Sequence, residues 1–126
     1  MENIFSDYLV NSPRGKLYIP DGLGPFPSVI ILKQYEEKIN EPSLDYYARK
    51  MNEIGFLAFT FISIPEKKIE ILYSHLNSAI DYLTNRSDVD IKKIFLLMAD
   101  REKTIEINMN LFSDRIHAIA SLSWLT

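Results

Sequence analysis

The sequence contains no cysteine and only four glycines in 126 residues. Without cysteine the chain can form no disulfide bond, use no thiol nucleophile and hold no zinc ion through thiolates. Its charge is nearly balanced, because fourteen basic and seventeen acidic side chains give a formal net charge of −3. So small an imbalance indicates no strongly charged partner. We expect no nucleic-acid binding, since lysine occurs as isolated pairs and not as a basic patch.

The sequence also lacks the long apolar stretches of membrane proteins. Its longest uninterrupted apolar run, residues 94–99, is far shorter than the ~20 residues that a membrane helix needs. The N-terminus carries Glu2 and Asp7 where a signal peptide has a basic end. We therefore expect a cytoplasmic protein without membrane contact. Metal-ligand spacings and a glycine-rich phosphate loop are missing, so we expect neither a metal nor another cofactor.

What the sequence does contain is typical of a globular protein. Hydrophobic residues make up 47% and charged residues 25% of the chain, which excludes intrinsic disorder. The length fits a single domain, which we assign to residues 1–126.

Continuous apolar runs predict strands that are covered on both faces. They lie at residues 28–32, 56–61, 93–98 and 116–122. A shorter alternating segment that ends at Pro20 predicts an edge strand near the N-terminus.

Apolar residues at helical spacing predict helices at residues 44–54 and 69–83. Ser43 is the expected N-cap of the first helix, and Gly55 its C-terminal stop. Residues 101–112 alternate partly like a strand, but we assign them to a helix because the parallel strands on either side need a crossover. The predicted fold class is α/β: a three-layer α/β/α sandwich on a mostly parallel sheet with an antiparallel N-terminal strand.

The order of these elements resembles the α/β-hydrolase superfamily, most closely its dienelactone hydrolase-like branch. The similar segments are residues 25–32 (PFPSVIIL), 47–58 (YARKMNEIGFLA), 78–83 (SAIDYL), 89–97 (VDIKKIFLL) and 114–123 (DRIHAIASLS). The fourth segment is similar to the run that leads into the family's catalytic serine or cysteine. The resemblance implies a shortened α/β-hydrolase fold.

The same resemblance argues against the family's reaction. The family needs a nucleophile elbow, G-x-(S/C)-x-G, whose small residues let strand and helix approach closely. Here residues 98–102 read MADRE, so both glycines are replaced and Asp100 stands at the nucleophile position. In the family, the catalytic acid and the catalytic histidine come after two further strands. We expect these strands and both residues to be missing here, because the sequence ends at Thr126. His75 and His117 fall elsewhere, and we interpret both as packing residues.

Asp100 has two interpretations. It is a weak candidate for a catalytic aspartate nucleophile, as used by some members of the superfamily. We prefer the alternative that it caps the following helix, because an aspartate oxygen can accept hydrogen bonds from the free N–H groups there.

Weak ligand-binding candidates follow two predicted strands at their carboxyl ends, where open α/β sheets bind ligands. They are Lys33, Gln34, Tyr35 and Arg101. A solvated charged loop is the alternative that we prefer.

The last predicted strand is the candidate interface. In the family it is an internal strand, so here its outer edge is expected to be open, with few of the charges that usually protect an edge. The candidate interface residues are Ile116, Ala118, Ala120, Leu122 and Trp124. The expected partner is a second copy, giving a homodimer, or another protein.

Three hypotheses about function remain. The first is a catalytically inactive hydrolase-like domain with a structural or association role. The second is an ester or lactone hydrolase that uses Asp100 or a site completed by a partner subunit. The third is a different small α/β ligand-binding domain, which requires that the strand near Lys93 does not lie beside the strand near Ser28.

Overall fold

The computed structural model describes residues 3–8, 14–34, 41–63, 69–98 and 114–121. These ranges contain one six-stranded sheet and two helices. The elements are β1 (Asn3–Tyr8), β2 (Arg14–Ile19), β3 (Phe26–Gln34), α1 (Glu41–Glu53), β4 (Leu57–Ser63), α2 (Ile69–Thr84), β5 (Val89–Met98) and β6 (Ala118–Ser121).

The strand order is β1-β2-β4-β3-β5-β6. β4, β3, β5 and β6 pair in parallel, whereas β2 pairs antiparallel with both β1 and β4. The mostly parallel sheet with an antiparallel N-terminal strand is therefore confirmed. The segment before Pro20, which is β2, was expected to be an edge strand. This prediction is wrong, because β1 pairs with the outer side of β2, from Asn3↔Ile19 to Tyr8↔Arg14.

β3 and β5 are direct neighbours, with Ser28 paired to Ile94 and Leu32 to Met98. The third hypothesis required that these two strands not be neighbours, so the pairing contradicts it. β5 also begins earlier than its apolar run, at Val89. Its register with β3 shifts between Phe26 and Ser28, so β5 carries an irregular segment before Ile94.

Alternate side chains of the buried strands enter two separate cores. Ile30 and Leu32 pack with α2 residues, whereas Val29 and Ile31 pack with α1 residues on the opposite face. A strand covered on both faces has no polar side, which explains its continuous apolar sequence. The two helices and the sheet between them form the predicted three layers.

α1 begins at Glu41, two residues before the predicted N-cap Ser43, which lies inside the helix. Pro42 explains the earlier start, because its fixed φ suits the first helical turn. The predicted stop is confirmed: Gly55 has φ 93°, and the N–H of Phe56 donates to the Met51 carbonyl at 2.9 Å. A positive φ at this place favours glycine.

In α2 the predicted apolar positions Leu76, Ala79, Ile80 and Leu83 are buried. The turn that follows the helix is fixed by a charged pair. Both Arg86 Nε and a terminal nitrogen donate to Asp88, at 2.9 and 3.0 Å. The hydrogen bond to Asp88 raises the pKa of Arg86. The predicted helix at residues 101–112 lies outside the described residues.

Candidate functional site

The parallel strands end at one edge of the sheet, which is the expected place for a ligand site. Gln34 pairs with Ser63, and Met98 pairs with Ser121, so the carboxyl ends of all four parallel strands lie side by side. Lys33 and Gln34 are the last two residues of β3 and therefore lie at this edge. The other candidates here, Tyr35, Asp100 and Arg101, lie outside the described residues.

Of the residues that the structure describes, Met98 is the nearest along the sequence to Asp100, which stands at the expected nucleophile position. It ends β5, two residues before Asp100, and aligns with the first glycine of the elbow pattern. Its side chain is 3% exposed and packs into the core on the α2 face. The Met98 side chain is therefore part of the core between the sheet and α2.

Neither histidine of this sequence lies at the carboxyl edge. His75 lies inside α2 and is 8% exposed, as expected for a packing residue. His117 lies level with Ile94 on β5. Ile94 is four residues before Met98, which corresponds to roughly 13 Å along a strand. His117 therefore lies well before the carboxyl end of β5.

Three consecutive residues fix the start of β6. Arg115 forms an ion pair with Asp81 of α2 and donates to Asn77 Oδ1 at 3.5 Å. Ile116 is 1% exposed and packs into the core on the α2 face. His117 donates its N–H to the Ile94 carbonyl at 2.8 Å. β6 therefore begins in a fixed position on β5.

This anchoring corrects one interface candidate. The side chain of Ile116 belongs to the core of its own chain and cannot contact a partner. Ala118, in contrast, is exposed. Ala120 lies in β6, whereas Leu122 and Trp124 lie outside the described residues. The predicted strand of residues 116–122 is accordingly shorter in the structure, at Ala118–Ser121.

The backbone of β6 has one paired side and one outward side. β6 pairs with β5 from Phe95↔Ala118 to Met98↔Ser121, and it is the last strand of the sheet within the described ranges. In a parallel strand, successive residues direct their N–H and C=O groups to opposite sides. Ile94 of β5 directs both its N–H and its C=O toward His117, so Leu96 and Met98 also face β6. With the register Phe95↔Ala118, the main-chain groups of Ala118 and Ala120 face β5, and the N–H groups of Ile119 and Ser121 face away from it.

Sequence reasoning missed the roles of Arg115 and His117. Their partners lie 34 and 23 residues away along the chain, in α2 and β5. Local patterns do not reveal such distant contacts. The available signal was the placement of two polar residues around Ile116 just before an apolar strand.

The described ranges show two further absences. No helix in them is long and apolar enough to cross a membrane. Among the same residues, no group of three or more histidine, aspartate or glutamate side chains is placed to hold a metal ion.

Comparisons with known proteins identify the fold. No protein-family model matches the sequence, and no curated protein matches it. Solved structures do match: Est1E from Butyrivibrio proteoclasticus, with TM-score 0.67 and 14% identity, is aligned over 97% of this chain and 52% of its own. Dienelactone hydrolase from Anabaena variabilis matches with TM-score 0.64 and 16% identity, over 96% of this chain and 62% of its own.

A third match is 2,6-dihydroxy-pseudo-oxynicotine hydrolase, with TM-score 0.56 and 21% identity over 78% of this chain and 30% of its own. The chain thus spans less than two thirds of the length of each of these three proteins. At such identities the likeness establishes the fold alone. Over the part that it spans, the chain has an α/β-hydrolase fold, as its resemblance to the dienelactone hydrolase-like branch implied.

Proposed function

We propose that this chain is a cytoplasmic α/β-hydrolase-fold domain that has lost hydrolysis at the nucleophile position and acts by association through β6. The partner is a second copy of the chain. The observation that carries the proposal is the outward row of main-chain groups on β6, at Ile119 and Ser121, on a strand whose start is fixed.

The loss of hydrolysis is supported by the residues around the end of β5. Met98 fills the core where the family's elbow has glycine. A nucleophile elbow is a strained turn that persists only where its surroundings enforce it. A buried methionine side chain at this point favours an ordinary end to the strand, with Asp100 as a helix cap.

The association is supported by the chemistry of β6. Ala118–Ser121 carries no charge and no proline, which are the usual means of protecting an edge strand. Because Arg115, Ile116 and His117 fix its start, the strand loses little freedom when it pairs. Two copies related by a twofold axis would pair β6 with β6 in antiparallel orientation and join their sheets into one.

The test removes an outward N–H without changing the inward pairing. Ile119→Pro deletes the donor at an outward position, and Ile119→Val keeps the donor and serves as the matched control with a side chain of similar size. In sedimentation equilibrium we expect the wild type and Ile119→Val to dimerise and Ile119→Pro to dimerise at least about tenfold more weakly. A monomeric wild type, or equal dimerisation of all three proteins, would overturn the proposal. Pairing with another protein remains the outcome to pursue if the wild type is a monomer.

Ester or lactone hydrolysis is the competing function, because the solved structures with this fold include hydrolases by name. It would use Asp100 as the nucleophile or a site completed by a partner subunit. We expect no turnover of short aryl esters or lactones above the rate of a heat-inactivated sample. Turnover that disappears in Asp100→Asn would establish the competing function instead.

A further inference from the structure

Two residues of β6 direct their main-chain groups outward, and they limit how a second copy can pair with the strand. Ile119 and Ser121 face away from β5, whereas Ala118 and Ala120 face it. In the structure β6 ends at Ser121. Within the described residues, β6 of each copy therefore offers two N–H and two C=O groups to a partner strand.

The start of β6 fixes which residues these are. Ile116 is 1% exposed and belongs to the core on the α2 face, and Arg115 pairs with Asp81 of α2. Sliding β6 along β5 by one residue would exchange its two faces and remove Ile116 from that core. The outward positions are therefore the same in every copy, as a symmetric contact requires.

A twofold axis between two antiparallel strands passes beside one residue, which then lies opposite its own equivalent. Opposed residues of such strands either both face the partner or both face away from it. An axis beside Ala120 places Ile119 opposite Ser121 of the second copy, and Ser121 opposite Ile119. Both pairs join outward residues, and each pair exchanges two main-chain hydrogen bonds. This register therefore forms four bonds and uses every outward group of Ala118–Ser121.

The other symmetric registers use fewer of these groups. An axis beside Ile119 or beside Ser121 pairs that residue with its own equivalent and gives two bonds from one pair. With the axis beside Ile119, Ser121 would lie opposite His117, whose N–H is already bonded to β5. With the axis beside Ser121, Ile119 would lie opposite position 123, outside the described residues. An axis beside Ala118 places both outward residues opposite the segment that precedes the strand.

We propose that two copies pair β6 with β6 about a twofold axis beside Ala120. The proposal rests on the association through β6 and adds its register. Ala120 lies opposite its own equivalent in a non-hydrogen-bonded pair, in which the two Cα atoms are about 4.5 Å apart. Alanine at this position allows so close an approach. The second copy is recognised through the main-chain groups of Ile119 and Ser121.

A single introduced thiol reports the register, because the sequence contains no cysteine. A disulfide bond needs Cα atoms about 4.4–6.8 Å apart, which the pair at position 120 provides. Ala120→Cys should therefore give a covalent dimer on a non-reducing gel when diamide is added as the oxidant. Ala118→Cys is the matched control in the same strand, since its two Cα atoms would lie about 14 Å apart. We expect it to cross-link at least about tenfold more slowly.

Three further variants complete the test. Ile119→Cys and Ser121→Cys would each cross-link rapidly only with the axis beside the substituted residue, because the register at Ala120 puts their Cα atoms about 8 Å apart. Ala120→Ser should dimerise like the wild type without forming a covalent dimer. Sedimentation equilibrium under reducing conditions measures the association of each protein separately from cross-linking.

The outcomes separate the register from the association itself. Rapid cross-linking at position 118, 119 or 121 instead of 120 would overturn the register and leave the association through β6 standing. The register is also wrong if the wild type and Ala120→Cys dimerise but Ala120→Cys forms no disulfide bond. A wild type that stays monomeric at every concentration would overturn the association and the register together.

Discussion

Ile94 and His117 bond each other twice at the start of the last strand. The N–H of His117 donates to the Ile94 carbonyl at 2.8 Å, and the N–H of Ile94 donates to His117 Nδ1 at 3.4 Å. An imidazole nitrogen thus serves as an acceptor where strand pairing begins. The second bond requires that Nδ1 carries no proton.

Replacing His117 by leucine should weaken the attachment of β6 without removing its main-chain bond. We expect His117→Leu to lower the free energy of unfolding by about 0.5–1.5 kcal/mol, the usual contribution of one hydrogen bond. Urea denaturation measures this loss. Asp114→Ala, in the same turn and exposed, should change stability by no more than about 0.5 kcal/mol. Equal stabilities of the two variants would show that the imidazole bond contributes nothing.

The contact of α1 with β2 depends on a hydroxyl group. Tyr18 is 1% exposed, and its hydroxyl donates to Asp45 Oδ1 at 2.9 Å, while Arg49 Nε donates to Asp45 Oδ2 at 2.6 Å. Tyr18→Phe should cost about 1–2 kcal/mol, because the bond to a carboxylate is lost on a side chain with no access to water. Thermal unfolding tests this, with the exposed Tyr46→Phe as the control that should unfold like the wild type. A Tyr18→Phe protein as stable as the control would contradict the assignment.

Gly15 is required by close packing against Phe59. A Cβ at position 15 would lie 2.2 Å from the end of the Phe59 ring, which is fully buried and cannot move aside. Gly15→Ala should therefore destabilise the fold by about 1–3 kcal/mol. Adding Phe59→Leu should make the same glycine substitution less costly, since the smaller side chain frees the space. The double-mutant cycle fails this expectation if the cost of Gly15→Ala is the same in both backgrounds.

Met98 should act as a core residue. We expect Met98→Ala to cost about 2–5 kcal/mol, the range for truncating a buried methionine. Ile91→Ala, in the same strand but 56% exposed, should cost less than about 1 kcal/mol. Chemical denaturation of both variants gives the comparison. A Met98→Ala protein that keeps full stability would show that this position tolerates a small residue, as a nucleophile elbow requires.

The buried strands could be predicted because their sequences record burial on both faces. Residues 28–32 and 56–61 have no polar side, and the structure places both in the centre of the sheet. β1 could not be predicted, because its place depends on pairing with β2 and not on a pattern of its own. For the same reason the position of β2 inside the sheet was missed.

The candidate site was predictable only in part. The carboxyl ends of parallel strands always meet, so the position of Lys33 and Gln34 at that edge followed from the strand order. The apolar run at the last strand could not show which residues belong to the chain's own core, and Ile116 does. The anchoring by Arg115 was equally hidden, since its partners lie in another element.

The central proposal, association through β6, is tested most directly by amide hydrogen exchange at Ile119 and Ser121. Both N–H groups face outward, whereas that of Ala120 faces β5 by the same alternation. We predict that the outward amides are protected at high protein concentration and exchange faster on dilution, while the Ala120 amide stays protected throughout. Fast exchange of the outward amides at every concentration would show an unpaired edge. Protection that does not change on dilution would show that the chain covers this edge itself, and either result would contradict the proposal.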